Sequence, residues 1–117
     1  MMRRGEIRMA DLEPVRGSEA NKRRPCVLVS NDGANRASER LGRGVVTVVP
    51  VTTSVEQVYP FQVALPRAQT GLPMDSKAQA EQVRSISVER MGEAVGTLPP
   101  ELLESLDAAL RLHLALG

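Results

Sequence analysis

Two stretches of the chain are dominated by apolar and β-branched residues: Cys26-Val27-Leu28-Val29 and the run at residues 45–51. Runs this short, bounded by turn-forming residues, read as strands covered on both faces. Pro25 and Asn31-Asp32-Gly33 bracket the first, the latter read as a turn that tolerates positive φ. Gly42-Arg43-Gly44 introduces the second, and Thr52-Thr53-Ser54 closes it. A weaker period-two pattern, Ile7 and Met9 between Glu6, Arg8 and Ala10, predicts a first strand over residues 7–12. Tyr59, Phe61, Val63 and Leu65 alternate with Pro60, Gln62 and Ala64, which predicts a half-buried strand with Pro60 near an edge or bulge. Residues 78–86 form one further predicted strand, and Ser87-Val88-Glu89-Arg90 a short helical turn capped by Ser87. After Pro99-Pro100, Leu102, Leu103, Leu106, Ala109, Leu110 and Leu114 recur at helical spacing, with Asp107 and Arg111 as an i,i+4 pair on the polar side. The expectation is a mainly β protein with helices (α+β). Five or so short strands form a twisted, partly closed antiparallel sheet, covered by a C-terminal helix.

A length of 117 residues with 42% hydrophobic positions is enough for one modest core, so residues 1–117 are expected to form a single domain. At this size burial stabilises a lone subunit only marginally, and a second copy is a natural supplement. The sole cysteine, Cys26, lies inside an apolar run and is expected to be a buried core thiol; it suits a reducing compartment. No segment approaches the ~20 apolar residues of a membrane span, and Arg3-Arg4 is not followed by the apolar stretch of an export signal. The cytoplasm is the expected location. Net charge is only +1, but residues 1–44 carry ten Lys/Arg against six Asp/Glu, while residues 45–117 carry five against eight. The anion-binding surface is therefore expected in the first half, with Arg36, Arg40 and Arg43 as ordinary solvated charges.

Several site chemistries can be set aside. The single histidine, His113, falls on the apolar stripe of the last helix and is expected to be packed there. No cluster of Cys, His or carboxylates has metal-ligand spacing, and no glycine-rich phosphate loop is present, so neither a metal nor a cofactor is expected. What remains is polar residues at the ends of apolar strands: Glu19, Arg23 and Arg24 before one, Thr52, Thr53 and Ser54 after another, Glu81, Gln82 and Arg84 within a third. They are either solvated charges and turn residues, or, if adjacent strands bring them together, a cationic pocket rich in hydrogen-bond donors. Such a pocket suits RNA, whose own 2′-hydroxyl can attack the adjacent phosphorus. The protein need only align the attack, stabilise the phosphoryl oxygens and move protons. Arginine meets phosphate oxygens with parallel hydrogen bonds, and Thr52 can donate to the same group. Arginine is a poor base and Glu19 an easier one, so either Arg24 or Glu19 is left to move the proton.

The motifs also carry a family resemblance. Arg4-Gly5-Glu6-Ile7, Asp11-Leu12-Glu13-Pro14, Arg16-Gly17-Ser18-Glu19, Arg24-Pro25, Ser30-Asn31-Asp32 and Asn35-Arg36 resemble the opening of MazF/PemK-type endoribonucleases. Val49-Pro50-Val51-Thr52, Tyr59-Pro60-Phe61, Gly71-Leu72, Ala80-Glu81-Gln82-Val83-Arg84-Ser85-Ile86 and Leu106-Asp107-Ala108-Ala109-Leu110 continue the resemblance over nearly the whole chain. The resemblance implies an SH3-like barrel acting as a homodimer. The implied activity is metal-independent cleavage of single-stranded RNA at a short recognition sequence, leaving a 2′,3′-cyclic phosphate and a 5′-hydroxyl. It places the catalytic pair on Arg24 and Thr52, with Glu19, Gln82 and Arg84 at positions that line or support the RNA-binding surface; Arg23, Thr53, Ser54 and Glu81 join the candidate RNA-binding or supporting residues from their places at the strand ends. It further implies a cognate antitoxin whose acidic and apolar tail covers that site. In one respect the chain departs from its relatives: Arg8 stands where many carry a first-strand aromatic, and Tyr59 and Phe61 are its only aromatic residues. Recognition then leans more on arginine stacking and hydrogen bonds. Two other readings remain: an inhibitor of a protein such as a DNA topoisomerase on the same fold, or an RNA-binding module without activity.

Overall fold

Strands apolar on both sides need cover on both sides, and that requirement organises the computed structural model, which describes residues 1–13, 17–18 and 23–117. Among these residues seven strands form one antiparallel sheet: β1 (Glu6–Asp11), β2 (Arg23–Leu28), β3 (Val45–Thr52), β4 (Gln62–Leu65), β5 (Ser76–Gln79), β6 (Arg84–Ser87) and β7 (Met91–Thr97). Their order is β4-β5-β3-β2-β1-β7, with β6 also paired to β3. The path starts at β4 and ends at β7 without joining them, so the barrel is only partly closed, as expected. β2 and β3 sit at its centre. Ile7, Val27, Val49 and Leu65 face one buried cluster, roofed by Leu106 and Ala109 of α3 (Pro100–Leu114). Ala10, Cys26, Leu28, Val46, Val48 and Ile86 face a second cluster on the other side.

The predicted strand over residues 78–86 is two strands and a turn. Between the pairs Thr52↔Lys77 and Val48↔Arg84, β3 advances four residues and its partner seven. The three extra residues, Ala80–Gln82, are taken up as a 3-10 turn. One edge of β3 is thus lined by a single interrupted strand, and the interruption carries Glu81 and Gln82. The expected strand through Tyr59 is regular only over Gln62–Leu65. The helical turn at Val88–Arg90 is present, with the Ser87 hydroxyl accepting from the Glu89 amide.

Three elements were not expected, the short helix α2 (Arg67–Thr70) among them. Asn31-Asp32-Gly33 is not an isolated turn but the start of α1 (Asp32–Leu41): Asn31 Oδ1 accepts from the Ala34 amide at 2.8 Å, and Gly42, at φ +66°, closes the helix. The buried positions of α1 are Asn35 and Ser38, so its inner face is polar and leaves no apolar period to read. Asn35 Nδ2 donates to the Ser30 carbonyl and Ser38 Oγ to that of Val45, which satisfies that face without hydrophobic contact. Strand β7 went unseen because Gly92 and Gly96 dilute its strand signal. Gly96 has a packing reason: a Cβ there would lie 2.4 Å from the Thr70 carbonyl oxygen of α2 (Arg67–Thr70).

The C-terminal helix is as expected at its start, with Pro100 in the first turn, but differs at its end. His113 is exposed rather than packed, as are all residues from 111 to 117, because burial under the helix stops at Ala109 and Leu110. Asp107 pairs with Arg4, Nη2 to Oδ1 at 2.6 Å, instead of serving Arg111 as expected. Arg4 also donates from Nε to the Val29 carbonyl and from its backbone amide to Asp32. This one residue fastens the N-terminus to α1 and α3. No helix among the described residues is long and apolar enough to cross a membrane.

Candidate active site

The ladder between β2 and β3 runs from Leu28↔Val48 to Cys26↔Pro50. Two residues further along that register stand Arg24 and Thr52, on the face shared by Cys26 and Pro50. An arginine and a threonine at neighbouring strand ends thus share one face, both half-buried. The Thr52 hydroxyl accepts from the Ser54 amide at 3.2 Å, which orients it and leaves its proton to donate outward. Thr53 and Ser54 themselves are exposed beyond the strand end.

Arg84 comes to the same face from the other edge of β3, opposite Val48. Cys26 lies within electrostatic reach of both arginines. Burial pushes its thiol up from the ordinary 9.0 to about 12, although the Arg24 and Arg84 guanidiniums both pull it down. Buried as expected, it is a neutral floor for the site rather than a nucleophile. Arg84 Nη1 donates to the Leu12 carbonyl, Arg90 Nη1 to the carbonyls of Asp11 and Glu13, and Gln82 Nε2 to that of Ser18 at 3.1 Å. Arg84 and Gln82 thus hold the β1–β2 connection, the segment that carries Glu19, at Leu12 and at Ser18. Glu19 lies outside the described residues.

Two expected site residues face elsewhere. Arg23 alternates to the opposite face, where its Nη2 pairs with Glu93 of β7 at 2.9 Å. This contact, after a backbone hydrogen bond within Glu93 itself, holds the Glu93 carboxyl below its usual range. Glu81 accepts from Gln62 Nε2 at 2.7 Å, while its other oxygen is buried with no hydrogen-bond partner among the described residues. Arg8, in place of the family's aromatic, is engaged by Glu6 at 2.6 Å and by the Gly92 carbonyl, clasping β1 to β7. The reading of strand ends missed Lys77. It is the register partner of Thr52 on β5, is 7% exposed, and lies one residue before the start of the predicted strand. A lone lysine among small residues gave no motif to find it by.

Among the described residues no group of three or more His, Cys, Asp or Glu is placed to hold a metal ion. The hollow between Arg4, Asp107, Leu110 and Leu116 lies against α3 and contains none of the site residues. What the face offers is two guanidiniums and an oriented hydroxyl over an uncharged floor, a set suited to phosphoryl oxygens.

The family model of the PemK-like, MazF-like toxins of type II toxin-antitoxin systems matches residues 3–114. The chain belongs to this family. As a MazF-like toxin it is 60% identical over 116 residues to endoribonuclease MazF9 of Mycobacterium tuberculosis (strain ATCC 25618 / H37Rv), covering 99% of this chain and 98% of the relative. It is 32% identical to endoribonuclease EndoA of Bacillus subtilis (strain 168), covering 99% and 97%. A solved mycobacterial endoribonuclease in complex with its cognate antitoxin superimposes with a TM-score of 0.78 at 22% identity, over 100% of this chain and 98% of that one. At that identity the likeness speaks for the MazF-type fold, which is the fold expected from the sequence.

Proposed function

We propose that this chain is the toxin of a type II toxin-antitoxin system and acts as an endoribonuclease on single-stranded mRNA at a short recognition sequence. Support comes from family membership across nearly the full length, joined to a β2–β3 register that, carried two residues past Cys26↔Pro50, brings Arg24 level with Thr52. The 2′-oxygen of the nucleotide before the cut attacks phosphorus, and the P–O5′ bond breaks. The products are a 2′,3′-cyclic phosphate and a 5′-hydroxyl. Because the nucleophile belongs to the substrate, the reaction needs no metal-bound water. Arg24 and Thr52 hold the non-bridging oxygens as charge develops on them. The 2′-proton leaves to a base, Glu19 or Arg24, and a proton is returned to the departing O5′. Gln82 and Arg84 support the pair by fixing the β1–β2 connection, with the exposed Thr53 and Ser54 at the periphery of the RNA path and Arg23 and Glu81, engaged by Glu93 and Gln62, away from it.

Residues 1–117 work as one domain, in the cytoplasm, as a homodimer. A cognate antitoxin inhibits by laying an acidic and apolar tail over the same basic face, in competition with the RNA polyanion. Purified protein incubated with total RNA in EDTA is expected to release fragments with 5′-hydroxyl and cyclic phosphate ends, mapped by ligation. Intact RNA with inhibited growth on induction would point instead to a protein target such as a topoisomerase. Salt-sensitive binding without new ends would mark a module that has lost activity.

A further inference from the structure

Neither the motifs nor the chemistry above uses Lys77. Its side chain is 7% exposed on β5, where its Cα partners are Thr52 on one side and Ala64 on the other. Nζ donates to the Gln57 carbonyl and lies 6.0 Å from the centroid of the Tyr59 ring, both in the β3–β4 connection. Among the described residues it has no carboxylate partner. An ammonium has three N–H donors, and among the described residues this one spends a single donor, on a neutral carbonyl. A buried cation without a counter-ion is costly, and an amide side chain could hold the same carbonyl without that cost. The charge itself therefore calls for an explanation beyond the tether.

The position supplies one. β2 and β5 flank β3, so the backbones of Arg24 and Lys77 stand about 10 Å apart, two strand spacings, with Thr52 between them. A single strand of RNA laid across these ends meets Arg24 and Thr52 with one phosphate and comes next to the β5 side. Among the described residues, the contacts of the ammonium, the Gln57 carbonyl and the Tyr59 ring, both belong to the exposed β3–β4 connection. We propose that Lys77 is a further substrate-binding residue: its ammonium takes the phosphate adjacent to the one held by Arg24 and Thr52. This rests on the endoribonuclease reading and adds a second phosphate contact to it. The arriving phosphate supplies the missing counter-ion and displaces or shares the Gln57 carbonyl.

The experiment measures the affinity of the full-length protein for a short oligonucleotide of its mapped target, with a 2′-deoxy residue at the cut site to block cleavage, over a range of KCl. Lys77→Gln keeps a donor for Gln57 and removes the charge; Lys77→Arg keeps the charge. The expected result is that Lys77→Gln binds about tenfold more weakly. Its slope of log affinity against log salt becomes shallower by roughly 0.7, the share of one phosphate contact on a single strand. Lys77→Arg keeps the wild-type slope, and melting curves show both variants folded. A folded Lys77→Gln with unchanged slope overturns the proposal while wild-type cleavage leaves the endoribonuclease reading intact. Failure of both variants to fold assigns Lys77 to the loop tether and overturns it equally. Wild-type protein that neither binds nor cuts RNA defeats both readings together.

Discussion

Arg24 and Cys26 show how a two-residue step along one strand divides chemistry from core. Both point to the same face of β2. Arg24 reaches the rim while Cys26 is sealed beneath it, and burial outweighs the pull of two guanidiniums on the thiol. Two expectations follow. Arg24→Ala should retain the wild-type circular dichroism and lose about 10² or more in cleavage rate, the scale of removing one group that stabilises transition-state charge; single-turnover cleavage measures it. Cys26 has a folded pKa raised above its unfolded value, so its contribution to stability is complete below about 9 and is lost as pH rises toward 12. Urea unfolding at pH 7 and pH 10 should show an alkaline loss that is smaller in Cys26→Ala. At this scale the sequence was informative about identities and silent about direction. Arg23 and Arg24 are equivalent in a motif, yet the alternation of β2 sends one to Glu93 and the other toward Thr52. Lys77 stayed hidden because its importance comes only from the strand it is paired with.

Elements were legible where their signal was apolar and hidden where it was polar or absent. The central strands and α3 declare themselves through hydrophobic runs and period. α1 buries Asn35 and Ser38, satisfied by the carbonyls of Ser30 and Val45, and so offers no stripe. β7 is poor in strand formers because its backbone packs closely against α2 at Gly96. That contact is rigid on both sides. Gly96→Ala should therefore destabilise by about 1–3 kcal/mol, as overpacking does, and lower the melting temperature by several degrees in calorimetry, although it adds only a methyl group. Asn31→Ala removes the cap of α1 and should cost about 1 kcal/mol in urea unfolding.

Over the whole molecule, stability depends on α3 closing one buried face of the sheet. Leu106, fully buried among Ile7, Val49 and Leu65, is the centre of that contact. Leu106→Ala should cost about 2–5 kcal/mol, a large share of the ~5–15 kcal/mol typical of a domain, and thermal unfolding would register it as a drop of ten degrees or more. The chain's own order of residues determined that it would be mainly β with a closing helix and that Cys26 would be buried, and it singled out Arg24 and Thr52 as the catalytic pair proposed from the family resemblance. Those conclusions rest on local hydrophobic patterns and on motifs, both of which are properties of short segments. Only the tertiary structure decided that β5 and β6 flank β3 as one interrupted strand and that α1 exists at all. It alone set Lys77 beside Thr52 and gave Asp107 to Arg4. Each of these depends on register or on polar contacts between segments far apart in the chain. Such pairings are chosen by the packing of the whole sheet, which no local pattern records.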